Sequence, residues 1–349
     1  MLDYNLLKRL CDAFGISGDE ENIRNIIINE IKPFADEITI DNLGNLIVYK
    51  KGQQRPKHKL MLSAHMDEVG FMVTDITSDG YIKFDEVGGI DRRVVPGKQV
   101  IIGKNCINGV VGLKPIHLSK GDEATAIPKF SDMYIDIGAE SKEDALAVVN
   151  FGDSINFVTE FSKNDFTINA KALDDRFGCY VLIEMIKSKL EYDMYFAFVV
   201  QEEVGLRGAK TAAYSIDPEF ALVIETTTAA DIPENDKAKQ VCALGEGAVI
   251  SVMDRRTIYD KQLVKSAFDC ADKLNIKAQY KKAIAGGNDA GAIHQSRCGV
   301  RTLAISLPSR YLHAPDCVVN IADCESMLSL VPAMADNIAS GKIDLKGTV

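Results

Sequence analysis

The spacing of the hydrophobic positions changes along the chain, and each pattern predicts a different kind of structure. In residues 6–14 apolar side chains recur at helical spacing, which predicts a first helix. A second helix is predicted to begin at Ser17, because Glu20 follows three residues later, as in a capping box. Residues 38–49 alternate around a polar turn, which indicates a hairpin, and the apolar run 60–64 predicts a short buried strand.

From residue 70 to residue 160 the apolar positions follow a period of two. Glycine and turn residues separate the short alternating segments, and only 142–149 has the spacing of a helix. This pattern predicts a compact β-rich module of the barrel or sandwich type. Its strands are predicted at 71–74, 81–84, 99–102, 109–113, 134–137 and 155–159.

After residue 166 helical segments alternate with strands that are apolar at every position. The helices are predicted at 179–190 and 263–274, and the strands at 194–200, 220–224 and 303–307. Because continuously apolar strands are covered on both faces, we expect an α/β fold with a mixed, mostly parallel sheet and helices on both faces. The β-rich module at 70–160 interrupts this fold, which leaves a discontinuous α/β domain of residues 1–69 and 161–349.

The composition narrows the range of partners. Apolar residues make up 46% of the chain, charged residues 26%, and the formal net charge is −10. Since no basic stripe offsets the acidic balance, nucleic acid and anionic membrane are not expected as partners. No apolar run approaches the roughly 18 residues that cross a bilayer. Eight cysteines without a C-x-x-C pair favour reduced core thiols in a cytoplasmic protein.

Histidine and acidic residues follow the apolar strands. His65, Glu203 and Glu225 each come at or just after the end of a predicted strand. Open α/β sheets build their sites at the carboxyl ends of strands, so we expect these side chains to lie close together. A buried carboxylate is costly unless it is paired or binds a metal. The position and type of these residues therefore predict a metal site.

Five short motifs supply enough ligands for a pair of metal ions. They are His65-Met66-Asp67, Asp174-Asp175-Arg176, Glu202-Glu203, Glu225-Thr226 and Leu312-His313. A two-metal hydrolase needs ligands for both ions, a bridging carboxylate and a free carboxylate that moves protons. Asp67 can accept the second imidazole hydrogen of His65. Asp174 and Asp175 can also cap the helix that follows them, and the two roles are compatible.

Two features have more than one interpretation. The glycine-rich segment 286–291 lacks the lysine of a phosphate-binding loop. It is either a tight turn that presents backbone N–H groups near the site or a plain loop before a helix. His117, within the β-rich module, is either a structural histidine or a residue that supports the site or contacts substrate.

These motifs, in this order, resemble the M42 family of metallo-aminopeptidases over essentially the whole chain. The resemblance is carried by residues 64–70, 172–178, 201–209, 286–290 and 310–313. It implies that His65 and Glu225 hold one metal ion, that Glu203 and His313 hold the other, and that Asp174 bridges the two.

The resemblance also implies a mechanism and an assembly. Glu202 would act as the general base, and Asp67 would orient His65. The cofactors would be two divalent ions, zinc or cobalt, and the substrates short peptides cleaved after the N-terminal residue. Residues 1–69 and 161–349 would form the catalytic domain. The inserted domain, 70–160, would mediate contacts in a homodimer, and dimers would assemble into a dodecamer.

The chain departs from the M42 pattern in places, and a second family shares part of it. Glu225 stands where aspartate is more common, Asn288 replaces a threonine, and Ala314 replaces a serine. The M20 group of peptidases and deacylases has the same order of ligands but places the bridging aspartate much closer to the first histidine. Here 109 positions separate His65 from Asp174, which favours M42.

Two further functions are alternatives at this point. The first is a deacylase or amidase that acts on non-peptide amides. The second is a metal-binding scaffold without catalysis, in which Glu202 would have no task beside Glu203.

Overall fold

The computed structural model describes residues 2–119, 121 and 125–343. The strands in this part of the chain are β1 Glu37–Ile40, β2 Leu46–Lys50, β3 Leu60–His65, β4 Gly70–Ile76, β5 Ile82–Val87, β6 Gln99–Ile102, β7 Ile107–Gly112, β8 Tyr134–Asp136, β9 Ser154–Phe157, β10 Ser162–Lys163, β11 Thr167–Ala170, β12 Met194–Val199, β13 Phe220–Thr228, β14 Ala248–Ile250, β15 Ala278–Tyr280, β16 Arg301–Arg310 and β17 Cys317–Asn320. The helices are α1 Tyr4–Asp12, α2 Glu21–Ile31, α3 Lys142–Leu146, α4 Leu173–Lys187, α5 Arg207–Ile216, α6 Lys261–Leu274, α7 Ala290–Ile293 and α8 Ile321–Ala339.

One large mixed sheet forms the centre of the α/β domain. Its strand order is β1-β2-β12-β3-β13-β16-β17-β11-β10, and β14 pairs with β16 beside this path. The strands β12, β3, β13 and β16 are parallel neighbours, whereas the strands at both edges pair antiparallel. The predicted mixed α/β class is therefore confirmed. The parallel strands form the centre of the sheet. The hairpin β1–β2 adds an antiparallel edge on one side, and β17, β11 and β10 add one on the other.

Helices cover this sheet as expected. The helix α4 packs on β3 and β13, α8 packs on β16, and α5 packs on β12. Nearly every side chain of α4 is buried, as in a helix that lies inside a domain rather than on its surface. No helix in the described ranges has the length and apolar character needed to span a bilayer.

The start of the second helix differs from the prediction. Helix α2 begins at Glu21, and the side chain of Ser17 does not cap it. The Ser17 hydroxyl instead donates a 2.6 Å hydrogen bond to Oδ2 of Asp67. The capping-box prediction is thus wrong, because a buried tertiary contact takes the serine that the local pattern assigned to the helix.

The β-rich module is a barrel. Within the described residues, six antiparallel strands close it in the order β4-β5-β8-β7-β6-β9. Its centre is aromatic: the ring centroid of Phe71 lies 4.9 Å from that of Phe84, 5.2 Å from that of Phe157 and 5.8 Å from that of Phe130. The barrel alternative of the prediction is therefore the observed one. The domain limits at 70 and 160 and the dimer contact stay predictions.

A buried ion-pair network lies where the chain passes from one part to the other. Glu68 precedes the first barrel strand, and Lys171 follows the last strand before α4. Lys171 Nζ lies 2.7 Å from Glu68 Oε1, and Arg176 Nη2 lies 3.2 Å from the same oxygen. All of these side chains are almost fully buried, so loss of Glu68 would leave two buried cations without their counter-charge.

Candidate active site

The register of the central strands brings the predicted ligands to one edge of the sheet. In the parallel pair β12–β3, Val199 lies opposite His65. In the pair β13–β3, Val223 lies opposite Ser63, so Glu225 lies two positions further on, beside His65. We call this end of β3, β12 and β13 the carboxyl edge. Strand β13 does not end at Glu225, as the apolar run suggested, but continues to Thr228.

Two groups of potential ligands meet at the carboxyl edge and share one aspartate. His65, Asp174 and Glu225 form one group and Asp174, Glu203 and His313 the other, each with ligand atoms within 4.8 Å of one another. His65 Nε2 lies 3.3 Å from Asp174 Oδ1 and 3.5 Å from Glu225 Oε1. His313 Nε2 lies 3.3 Å from Asp174 Oδ2 and 3.2 Å from Glu203 Oε1. The structure thus brings together all five residues predicted as ligands.

Backbone carbonyl groups orient both imidazole rings. His65 Nδ1 lies 3.0 Å from the carbonyl oxygen of Asp67, and His313 Nδ1 lies 2.9 Å from that of Gly89. Because a carbonyl oxygen only accepts, each Nδ1 must be the donor, and each Nε2 then faces carboxylates. Asp174 Oδ1 is buried and has no hydrogen-bond partner. A divalent cation fits these groups, since it would satisfy both Nε2 atoms and the unpaired oxygen.

The pKa shifts of the histidines and carboxylates at this site also favour a bound cation. Burial lowers the pKa of His313, but the contacts with Asp174 and Glu203 outweigh burial and raise it to about 11. Burial raises the pKa of Glu225 to about 7, although the neighbouring His65 opposes this shift. The cluster therefore favours positive charge on its rings and disfavours negative charge on a buried carboxyl group. A bound cation would displace the ring protons and stabilise the carboxylates.

Asp67 lies beside His65, as predicted for a residue that orients the ring, and its carboxylate also has other partners. Its carboxylate accepts hydrogen bonds from the backbone N–H groups of Glu202, at 3.0 Å, and Glu203, at 3.1 Å, besides the one from Ser17. Its Oδ1 lies 3.5 Å from His65 Nδ1, further than its own carbonyl oxygen. Asp67 therefore holds the turn that carries the two glutamates, and its main chain provides the nearer contact to the histidine.

Glu202 differs from its neighbour Glu203 in its contacts. Among the described residues no hydrogen bond or ion pair is formed by the Glu202 carboxylate, whereas Glu203 contacts His313. Burial raises the pKa of Glu202 well above its usual range, and the charge of Glu225 adds to that shift. Glu202 does lie within ligand distance of His65 and Glu203. A carboxyl group with these properties is suited to accept a proton.

A cavity of about 330 Å³ opens beside the ligand groups. The glycine-rich turn lines it through Gly286, Gly287 and Asn288, so this turn lies near the site, and it also precedes a helix, since α7 begins at Ala290. Glycine is needed at 287, because a Cβ there would come within 2.5 Å of Cγ of Arg256. His117 is exposed and does not line this cavity.

Sequence reasoning did not identify several residues of this cavity. These residues are Thr227, Thr228, Arg256 and Lys281, and Thr226, which the motif Glu225-Thr226 contained without a role, lines it as well. The threonines directly follow Glu225 on β13, so their position on the strand was a usable signal. Lys281 and Arg256 come from segments outside any motif, and nothing local distinguished them from surface cations.

Imidazole and carboxylate groups around a cavity at the carboxyl edge define a candidate metal centre of the kind that hydrolases use. Residues 44–330 match the family model described as M42 glutamyl aminopeptidase. The chain belongs to the M42 peptidase family. The predicted resemblance is confirmed, and so is the predicted class of enzyme, a peptide hydrolase with aminopeptidase function.

Individual relatives cover nearly the whole chain. A candidate aminopeptidase of Acetivibrio thermocellus is 42% identical over 94% of this chain and 97% of its own. A lysyl aminopeptidase of Pyrococcus furiosus is 33% identical over 97% of this chain and 98% of its own. A solved structure of the TET1 peptidase of Pyrococcus horikoshii superposes on this chain with a TM-score of 0.83 and 38% identity, and it covers 95% of this chain and 98% of its own. That peptidase can assemble into a tetrahedron or a large octahedral shell. These matches also decide against the M20 group.

Proposed function

We propose that this protein is a dinuclear aminopeptidase that removes N-terminal residues from short peptides. The observation that carries the proposal is the pair of ligand groups that share Asp174. His65 and Glu225 would hold one ion, and Glu203 and His313 the other. Nitrogen and oxygen ligands of this kind suit zinc or cobalt. When bound, such ions acidify water and polarise the scissile carbonyl group.

The protein's own groups would supply proton transfer. Glu202 takes a proton from the attacking water and returns it to the departing amine, for which its raised pKa and its lack of a hydrogen-bonded partner suit it. Asp67 keeps the Glu202 carboxyl group in position by fixing the backbone of the turn. The free α-ammonium group of a peptide would bind at the acidic end of the cavity, near Glu203 and Glu225.

A comparison of free and blocked substrates tests this function. We expect leucyl-p-nitroanilide and a leucyl peptide to be hydrolysed in the presence of zinc or cobalt, and their N-acetyl derivatives to be resistant. Efficient release of acetate or of another acyl group would indicate the deacylase alternative instead. Stoichiometric metal binding without hydrolysis of any substrate would indicate the scaffold.

We further propose a homo-oligomer in which the barrel module, residues 70–160, forms the dimer contact and dimers assemble into a dodecamer. The assembly of the related TET1 peptidase supports this proposal, as do apolar side chains on the module, such as Ile116 at 70% and Phe151 at 55% exposure. Light scattering should give the mass of the oligomer. Ile116→Lys and Phe151→Lys should reduce that mass, whereas Phe166→Lys, on the α/β domain, should not.

The identity of the ions and the location of the protein in the cell are further parts of the proposal. Zinc and cobalt are proposed from the family resemblance and from the ligand types. All eight cysteines are free thiols in the structure, and cytoplasmic localisation stays a prediction.

A further inference from the structure

The active-site cavity contains a buried amide that takes no part in the proposed mechanism. Asn288 lines this cavity together with Glu202 and Glu225, and only 4% of the residue is exposed. It belongs to the glycine-rich turn, which supplies neither a proposed metal ligand nor the general base. An amide in this place is neutral at every pH, so it can donate a hydrogen bond without competing for the ions.

Hydrogen bonds fix the orientation of the Asn288 amide. Its Oδ1 lies 3.0 Å from the backbone nitrogen of Ala290 and 3.2 Å from the Tyr259 hydroxyl. Because a backbone N–H group only donates, the atom opposite Ala290 must be the amide oxygen and not the nitrogen. In the part of the chain that the structure describes, Nδ2 donates no hydrogen bond to a protein group. Its hydrogens are therefore available to a ligand in the cavity.

The turn that carries this amide is held in place by a neighbouring loop. The backbone N–H group of Arg255 donates a 2.9 Å hydrogen bond to the carbonyl oxygen of Gly286. Tyr259, behind the Asn288 amide, is itself fixed, because its hydroxyl donates a 2.5 Å hydrogen bond to Oδ2 of Asp254. The Asn288 donor is therefore in position before a substrate binds, which makes such a donor effective towards a developing charge.

The Asn288 amide also lies near the reacting groups. Burial raises the pKa of the Tyr259 hydroxyl well above its usual range, and the charges of Asp254 and Glu225 add to that shift. The field of the Glu225 ligand thus reaches the residue that contacts the amide. Glu202, the proposed base, lines the same cavity. A scissile carbonyl group at the metal centre would therefore lie between a proton acceptor and a hydrogen-bond donor.

We infer that Nδ2 of Asn288 donates a hydrogen bond to the oxygen of the scissile carbonyl group and stabilises the negative charge that develops there. This inference rests on the proposed function. As the oxygen of water bonds to the carbonyl carbon, the electron pair of the C=O π bond moves to the carbonyl oxygen, and Glu202 takes the proton of the water. When the C–N bond breaks, the C=O π bond forms again and the departing amine receives that proton. The Asn288 hydrogen bond strengthens as the oxygen gains charge, so it lowers the barrier.

A purely structural role for Asn288 makes a different prediction. Its Oδ1 accepts the hydrogen bond from Ala290, where α7 begins, so the side chain could serve only to shape the turn. Loss of the amide would then lower the stability and weaken the binding of every ligand in the cavity. A donor to the scissile carbonyl oxygen instead affects kcat, and it leaves the binding of a ligand without that oxygen unchanged.

The kinetic test uses two substitutions of equal shape, Asn288→Val and Asn288→Thr, of which only the second keeps a donor. In Asn288→Val we expect kcat to fall about 10- to 100-fold with KM little changed, the value of a hydrogen bond to a charged group. The factor should be the same for leucyl-p-nitroanilide and leucyl-glycine amide. Asn288→Thr should keep a higher kcat than Asn288→Val. The matched control is Asn105→Val, which removes an exposed amide between β6 and β7 and should keep the wild-type kcat.

A binding test separates the donor from a structural residue. Leucinephosphonic acid has tetrahedral oxygens like those of the intermediate, whereas 3-methylbutylamine has the same ammonium group and side chain but no such oxygen. By calorimetric titration of metal-loaded protein, Asn288→Val should bind the phosphonate about 10- to 100-fold more weakly than the wild type, in parallel with kcat, and the amine equally well. Metal content, measured by elemental analysis, should match that of the wild type.

Several results would overturn the inference. They are a wild-type kcat in Asn288→Val, an equal kcat in Asn288→Val and Asn288→Thr, and a fall confined to leucyl-glycine amide. The last result would assign Nδ2 to the carbonyl group of the second residue. Equal weakening of the phosphonate and the amine, with a lowered thermal midpoint, would indicate a structural role.

The binding measurement also keeps this inference separate from the proposed function. If the metal-loaded wild type hydrolyses neither the anilide nor the peptide amide, the proposed function is wrong, but the two titrations still decide the role of Asn288. Weaker binding of the phosphonate alone in Asn288→Val supports the inference. Unchanged binding of the phosphonate contradicts it.

Discussion

The barrel and the carboxyl edge bury different kinds of side chain. The barrel centre consists of phenyl rings and aliphatic groups that contact one another and need no outside partner. At the carboxyl edge the buried groups are imidazoles and carboxylates, and an oxygen of Asp174 lacks a hydrogen-bond partner. The barrel centre is therefore complete as a protein interior, whereas the carboxyl edge is complete only with a ligand.

Metal removal should have the largest effect, because it acts only on the incomplete region. We expect a chelator to abolish peptide hydrolysis and zinc or cobalt to restore it, since every proposed ligand is a histidine or a carboxylate. The measurement is activity against metal content, with circular dichroism as a check that the fold persists. Full activity in protein shown to be metal-free by elemental analysis would contradict the site.

Separate substitution of the two adjacent glutamates should distinguish the role of each at the carboxyl edge. In Glu202→Gln we expect kcat to fall by about 10²- to 10⁴-fold, with KM and metal content little changed, because a general base contributes that much. In Glu203→Gln we expect one ion to be lost more readily, with partial rescue by added metal. Both variants should be assayed for metal stoichiometry and kcat in parallel. A Glu202→Gln protein that is active with both ions bound, or an interchange of the two phenotypes, would refute these roles.

A large-to-small substitution in the barrel should affect stability and leave the chemistry intact. Phe71 is fully buried, so Phe71→Ala should lower the free energy of unfolding by about 3–5 kcal/mol, as cavity-forming aromatic substitutions do. Below its unfolding transition the variant should keep wild-type kcat. The control is Met72→Ala, which changes the next residue of β4, 37% exposed. Loss of kcat in folded Phe71→Ala protein would show that packing in the barrel affects catalysis at the carboxyl edge.

The smallest expected effect is on the stability of the metal-free protein, which the buried carboxyl group of Glu225 lowers. Burial raises the pKa of Glu225 in the folded protein to about 7, so ionisation of this group destabilises the fold. The full destabilisation is present above pH 7, and none is present below the pKa that Glu225 has in the unfolded chain. Glu225→Gln should therefore stabilise metal-free protein by about 1–3 kcal/mol at pH 8 and by little at pH 5. Denaturant unfolding at both pH values is the measurement, with the exposed Glu140→Gln as control. A stabilisation independent of pH would contradict the explanation.

The sequence predicted the features that depend on strand periodicity. The barrel strands, the central sheet and the predicted metal ligands followed from apolar runs, from the residues at their ends and from the family resemblance. His65 and Glu225 illustrate why: parallel strands place their carboxyl ends at the same edge, so residues far apart in sequence come together without any knowledge of loops.

Features that depend on contacts between distant loops escaped prediction. The local pattern predicts Ser17 as a helix cap, yet its hydroxyl donates a hydrogen bond to Asp67, 50 residues away. The carbonyl oxygen of Gly89 orients His313, and a backbone oxygen has no signature in the sequence. Lys281 resembled any solvated lysine, because its burial results from the packing of segments that no local pattern connects.

The bond from His313 to Gly89 limits how modular this protein can be. Gly89 belongs to the loop after β5, inside the inserted barrel, whereas His313 belongs to the α/β domain. The barrel module therefore cannot be replaced freely by another domain, whether through recombination or through protein engineering. Each replacement must place a backbone carbonyl oxygen within hydrogen-bond distance of His313 Nδ1. In a chimera that keeps every proposed metal ligand but replaces this loop, His313 would lose the acceptor that orients its ring.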